Sequence, residues 1–295
     1  MADVVPKIAS FLSTPTGTSV VICSAVIFGT WWLLAVKHTR REPVLSKEEW
    51  REFPLVEKIN ISSNTALYRF GLPDPEDNLG LPPGQHITIS AEIEGKTVSR
   101  SYTPTTGQDD LGHFDLVIKT YEKGNISRYV AGLKINDKIK VKGPKGNFTF
   151  TPELAPEFGM IAGGTGVTPM LQIARYSLFN PGDPTKFTLI YANVSEDDIL
   201  LRVELDYLVA MFPYRFKVYY VLNNPPAGWK GGVGYVSKDH IQEHLPPPGN
   251  SKILLCGPPP MIGAMKGHLA DLKFPAPRTV SKTEDAVRVR PRFPH

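Results

Sequence analysis

Four short stretches of the chain carry residue types suited to holding a charged, planar ligand. Arg100-Ser101-Tyr102-Thr103-Pro104 offers a planar fork of donors for a phosphate, a flat aromatic face and further hydroxyls. Gly124-Asn125-Ile126-Ser127 opens a predicted helix over 127–133. Free backbone N–H groups at a helix start favour an anion, and glycine lets a phosphate come close. Gly163-Gly164-Thr165-Gly166-Val167-Thr168-Pro169-Met170 leads from a predicted strand into a predicted helix. It is not a Gly-x-Gly-x-x-Gly fingerprint, because Pro169 stands at the last glycine, and no Gly-Lys-Ser/Thr follows as in a Walker loop. Cys256-Gly257-Pro258-Pro259-Pro260-Met261 ends another predicted strand, and its prolines can start a helix without early N–H donors. Taken singly, each stretch also reads as something plainer: a strand leaving into a proline turn, an ordinary helix cap, a glycine-rich turn, a small buried thiol.

The elements around these stretches fall into two patterns. From Phe53 onward, short alternating runs over 56–62, 66–70, 86–91, 97–103, 113–119 and 138–142 read as six strands broken by Gly, Pro and Asn. Six short strands predict a small closed antiparallel barrel, since closure removes exposed edges. After Thr151 strands alternate with helices. Strands are expected over 158–162, 186–192, 215–222 and 253–256. Helices are expected to about Phe179, from Ser195 to about Phe212, over 238–244 and over 261–272. That alternation predicts a parallel sheet with its ligand at the strands' carboxyl ends. The glycine-rich and Cys-Gly-Pro-Pro stretches both sit at such ends.

Composition narrows the class further. The 295 residues hold two cysteines, which excludes a disulfide-stapled secreted fold. The net charge of +4 lies at the termini: residues 1–52 carry +1, residues 278–295 carry +3, and 53–277 balance. A generally basic nucleic-acid-binding domain is therefore excluded. No Lys, Arg, Asp or Glu occurs between Lys7 and Lys37. Residues 18–36 as a helix would be about 28 Å long, near the bilayer core of roughly 30 Å. Trp31 and Trp32 close the stretch, and Lys37, His38, Arg40 and Arg41 follow. These features predict a membrane anchor over 1–41 whose large carboxyl-terminal part faces the cytosol. A cleaved signal peptide is the competing reading, though the amino-terminal charge and the terminal tryptophans suit it poorly. Residues 42–52 read as a tether.

In their order, the first two stretches resemble the flavin-binding domain of the ferredoxin–NADP reductase superfamily. With the other two, with Phe53-Pro54-Leu55 and with Asp198-Ile199-Leu200-Leu201-Arg202, the chain resembles the fungal, membrane-bound NADH–cytochrome b5 reductase family from about Trp50 to Val287. The resemblance implies an FAD-binding barrel over 53–151, an NADH-binding α/β domain over 152–287 and an atypical tail over 288–295. It implies that Arg100, Ser101 and Ser127 hold FAD beside Gly124, Asn125 and Ile126. Tyr102 would pack on the flavin, Thr103 would face it, and Val117, Lys119 and Thr168 would touch it. His86 would join Thr103 in a proton path. Gly163, Gly164, Thr165 and Gly166 would serve NADH, with Cys256, Gly257, Pro258 and Met261 on the nicotinamide side. Thr103, His86 and Cys256 are thus the implied catalytic residues; no metal is expected.

The activity so implied is hydride transfer from NADH to FAD, then single electrons to cytochrome b5. An Fe-binding component of the diphthamide pathway is a second implied acceptor. The implied location is the endoplasmic reticulum or the mitochondrial outer membrane. Residues 119–145 hold eight Lys or Arg against two acids, a local excess that suits an acidic partner or simply a solvated rim. Two departures matter. Lys230 stands after Gly228-Trp229 where many relatives carry Asp, which opens the alternative of an NADPH-preferring reductase. The end of the chain replaces a short apolar strand. A non-catalytic, membrane-anchored flavoprotein is the remaining alternative.

Overall fold

The computed structural model describes residues 43–275. The anchor expected over 18–36, with Cys23 inside it, and the tail over 288–295 lie outside the described residues. Among the described residues no helix is long and apolar enough to cross a membrane.

Six strands form the first layer: β1 (Arg51–Ser62), β2 (Thr65–Gly71), β3 (His86–Ile93), β4 (Lys96–Tyr102), β5 (His113–Lys119) and β6 (Lys138–Lys145). One helix, α1 (Asn125–Ala131), lies between β5 and β6. Alternation explains the pairing. In β6, Lys138 and Lys140 are exposed and Lys142 is partly so, while Ile139 and Val141 are fully buried. Phe53, Phe70 and Phe114 meet in the same core; Phe70 and Phe114 stack at 5.3 Å. Each such side chain contributes roughly 1.5–3 kcal/mol by leaving water. The strand order is β4-β3-β6-β1-β2-β5, antiparallel throughout.

The closed barrel expected from the sequence is corrected on this point. Among the described residues no ladder joins the end strands β4 and β5. One backbone bond beyond β4, Thr105 N to the Asp115 carbonyl at 2.9 Å, draws the two together at one end. The rest of the seam carries the conspicuous residues: Arg100 to Tyr102 on β4, Val117 and Lys119 on β5.

The second layer is a parallel sheet in the order β10-β9-β8-β7-β11. Its strands are β7 (Glu157–Gly163), β8 (Lys186–Asn193), β9 (Phe216–Leu222), β10 (Gly232–Val233) and β11 (Ser251–Cys256). Its helices are α2 (Val167–Leu178), α3 (Arg202–Met211), α4 (Lys238–His244) and α5 (Pro259–Asp271). Both faces are covered. Met160, Leu189 and Tyr191 enter one core; Ile161, Ile190 and Val221 enter the other.

Two further expectations are corrected. The helix predicted from Ser195 is a 3-10 turn, Glu196–Asp198, then a break, then α3. Ile199 and Leu200 plug into the core, and Leu201 adopts φ 57° to turn the chain into the helix. The short strand β10 was absent from the predicted set. Residues 44–275 fall in one compact unit. Val117, Phe148 and Phe150, from the antiparallel half, join the core of the parallel half.

Candidate active site

The parallel register decides where the Gly163–Gly166 and Cys256–Pro258 loops meet. β7 and β11 are neighbours, with Ala162 paired to Cys256, so the loops that leave them start side by side. They touch: a Cβ on Gly163 would lie 2.6 Å from the Met261 sulfur, and one on Gly257 would lie 3.1 Å from the Gly163 nitrogen. Gly166 faces the Cys256 carbonyl so closely that a Cβ there would lie 2.6 Å from its carbon. Gly164 sits at φ +53°. Its carbonyl accepts from the Tyr191 hydroxyl at 3.0 Å, a polar contact from a fully buried ring on β8. Burial keeps that hydroxyl neutral, well above the ordinary tyrosine range.

These loops form one wall of a cavity of about 510 Å³. The opposite wall is the seam of the antiparallel sheet. Arg100, Ser101, Tyr102 and Thr103 line it from β4 and the residue after; Val117 and Lys119 line it from β5; Gly124, Asn125, Ile126 and Ser127 line it from the start of α1. His86 lines it from the first position of β3, and Thr168 from α2. Gly163, Gly164, Thr165, Gly166, Cys256, Gly257 and Pro258 complete it. The structure therefore brings together all but two of the expected residues. Met261 does not line the cavity; its sulfur supports Gly163 from behind. Lys230 is exposed on the loop between β9 and β10 and also stands apart from it.

Among the described residues three cations line this crevice, Arg100, Lys119 and Lys123, and no carboxylate does. The Arg100 guanidinium is oriented by donating to the Ser99 carbonyl at 2.8 Å. A side chain at Gly124 would collide with the Ser127 hydroxyl, so glycine leaves the backbone cradle open. Cations, hydroxyls and an open cradle fit the pyrophosphate of a dinucleotide. Sequence reasoning missed Tyr121, Lys123, Phe148 and Pro259 among the lining residues. Lys123 and Pro259 adjoin recognised motifs and could have been found there; Tyr121 and Phe148 arrive by folding alone.

Tyr191→Phe tests the support of the glycine loop. It removes one hydrogen bond and no volume, a loss of about 1 kcal/mol. We expect the affinity of this loop for a dinucleotide to fall about five-fold in equilibrium titrations.

Two domain models match the chain: an oxidoreductase FAD-binding domain over residues 52–150 and an oxidoreductase NAD-binding domain over residues 160–267. An antiparallel layer facing a parallel layer across a cation-lined crevice, with these two matches, defines a flavin- and pyridine-nucleotide-dependent oxidoreductase of the ferredoxin reductase superfamily. A protein of Cryptococcus neoformans named NADH-cytochrome b5 reductase 1 is 62% identical over 252 residues, 83% of this chain and 86% of its own. One of the same name from Candida albicans is 54% identical, covering 92% of both chains. The cytochrome b5 reductase domain of Ulva prolifera nitrate reductase is 38% identical with a TM-score of 0.75, covering 79% of this chain and 97% of that one. The chain belongs to the NADH–cytochrome b5 reductase family, and FAD and NADH are its cofactors.

Proposed function

We propose that the protein oxidises NADH and delivers electrons one at a time to cytochrome b5, while an anchor over 18–36 holds it on the cytosolic face of the mitochondrial outer membrane or the endoplasmic reticulum. The observation that carries the catalytic part is the single crevice in which the flavin-type residues of the seam face the nucleotide loops. Bound FAD supplies the conversion between a two-electron and a one-electron carrier. The chain supplies the rest. Arg100, Lys123 and the Gly124–Ser127 backbone hold phosphate charge. Tyr102 provides a flat face beside the Thr103 hydroxyl. Thr103 and His86 line the same cavity and serve as the path for a proton. The Gly163–Gly166 and Cys256–Pro258 loops orient the nicotinamide end and exclude water.

An acidic acceptor calls for a basic face. The charge excess over 119–145 is divided by the fold. Lys119 is turned inward, whereas Lys138, Lys140 and Lys142 alternate along the outer side of β6. Lys142 lies 4.9 Å from the Trp50 ring centroid. We assign acceptor docking to this row, for cytochrome b5 and for an Fe-binding protein of the diphthamide pathway alike. The test uses the purified chain: NADH should bleach the flavin absorbance, and added oxidised cytochrome b5 should restore it. Lys138→Glu with Lys142→Glu should slow the second step several-fold and flatten its salt dependence. A flavin that NADH leaves unbleached sinks the catalytic reading; an unchanged salt dependence sinks the docking face.

Lys230 favours a second reading of coenzyme choice. It is an exposed cation on the loop that joins β9 to β10, two residues before Gly232. A cation there tolerates the 2′-phosphate of NADPH. Initial rates with the two coenzymes are expected to differ by less than about a hundred-fold, and Lys230→Asp should widen the gap about ten-fold in favour of NADH. An unaltered ratio removes Lys230 from coenzyme selection.

A further inference from the structure

Among the described residues no carboxylate lines the crevice, yet one reaches it from behind the wall. Asp198 closes the 3-10 turn after β8. Its Oδ1 accepts from Lys119 Nζ at 2.8 Å, and Lys119 lines the crevice from the end of β5. Its Oδ2 accepts from the Ser195 hydroxyl at 2.7 Å and the Ser195 N–H at 3.1 Å. Three hydrogen bonds thus hold the carboxylate, one on Oδ1 and two on Oδ2. The turn that carries it is fixed, because Ile199 and Leu200 follow directly into the core. The Lys119 hydrogen bond, aided by Ser195, holds the Asp198 carboxyl below the usual carboxylate range.

The pair also joins the two layers, since the lysine belongs to the antiparallel sheet and the carboxylate to the parallel half. The side chains are 22% and 27% exposed, so solvent screens them less than it would a surface pair. Elsewhere the layers are tied through α2. Gln172 accepts from Gly84 N at 2.9 Å and donates to the Gln85 carbonyl at 3.2 Å, and Arg175 donates to the Thr105 carbonyl at 3.2 Å. The Lys119–Asp198 contact stands apart from these, at the crevice itself.

We propose that Asp198 is a positioning residue for NADH: it holds Lys119 against the crevice wall with its charge compensated, and so fixes the width of the crevice on that side. Released from Asp198, the four-carbon stem of Lys119 can fold across the cavity toward phosphate, taking space the second dinucleotide needs. Or it can leave for solvent, which unties the layers. Either way dinucleotide binding suffers before chemistry does. This inference rests on the NADH reading of the crevice and adds a residue outside its lining.

Asp198→Asn keeps the size of the side chain and an oxygen for Ser195. The expected result is a rise of about five-fold or more in both the Kd for NAD+, read by perturbation of the flavin absorbance without turnover, and the KM for NADH, with kcat within about two-fold. Lys119→Met should raise the same Kd. The double variant should be no worse than the poorer single one, since both remove one contact. Asp198→Glu should recover most of the affinity. Additive effects, an unchanged Kd in Asp198→Asn, or a fall in kcat matched by a fall in unfolding temperature would each overturn the proposal. A wild-type flavin that NADH does not bleach would remove it together with the reading of the site; bleaching with an additive cycle would remove it alone.

Discussion

Gly166→Ala is expected to lower the rate of flavin reduction by NADH by as much as about a hundred-fold, with FAD still bound. The new Cβ would sit 2.6 Å from the Cys256 carbonyl carbon and 2.9 Å from the Gly257 nitrogen. Both are backbone atoms at the end of β11, and β11 is locked to β7 by a six-residue parallel ladder. No side-chain rotation relieves the overlap, so one loop must move. Overpacking of this kind costs about 1–3 kcal/mol. The upper end corresponds to roughly a hundred-fold in rate when the displaced loop carries the nicotinamide side. The seam proposed for FAD is untouched. Stopped-flow absorbance on flavin-replete protein makes the measurement; a near-normal rate would mean that the Cys256 loop retreats freely.

Arg100→Leu has the complementary effect. It should release FAD, weakening its affinity about a hundred-fold or more, and leave a colourless but folded chain. Among the described residues Arg100 is one of three cations that line the crevice and no carboxylate joins them; its guanidinium is aimed by the Ser99 carbonyl. Hydrogen bonds to charged groups contribute about 1.5–3 kcal/mol, and a fork can make two. Arg100→Lys keeps the charge but loses the fork, and should fall between the two. Flavin-to-protein ratios after desalting, with affinities from quenching of flavin fluorescence, decide the matter. A leucine variant that retains stoichiometric flavin would place the pyrophosphate on Lys119 and Lys123 instead.

The parts of this fold that were legible in the sequence are those written in local pattern. The Lys-Ile-Lys-Val-Lys alternation of β6 announces an outer and an inner face without any knowledge of its partners. The apolar runs of β7 and β8, each followed by a turn and a helix, announce parallel strands. Most of the lining of the crevice was legible for the same reason: it lies in the four contiguous motifs, whereas Tyr121 and Phe148 do not. The parts that were not legible depend on meetings between distant residues. Asp198 lies 79 positions from Lys119, and Gln172 lies 88 from Gly84. Ser195 followed by three acids looks like the cap of a long helix. Only the burial of Ile199 and Leu200 shows why the chain must break before α3. Closure of the barrel was an argument about avoiding edges, and at the seam the needs of a ligand site take precedence over it.

Helix α2 deserves a last consequence. Thr168, Pro169 and Ile173 present one flank to the dinucleotide crevice. Gln172, Arg175, Tyr176 and Phe179 present another to a second cavity of about 510 Å³, shared with Leu79, Leu81 and the 105–110 loop of the antiparallel half. A helix that is part of one layer by sequence is thus half owned by the other. Anyone building hybrids from this family should expect a crossover at the linker near 151 to orphan Gly84, Gln85 and Asp110. Fragments exchanged between relatives will be interchangeable only when residues 79–85, 105–110 and 167–180 travel as one inherited block.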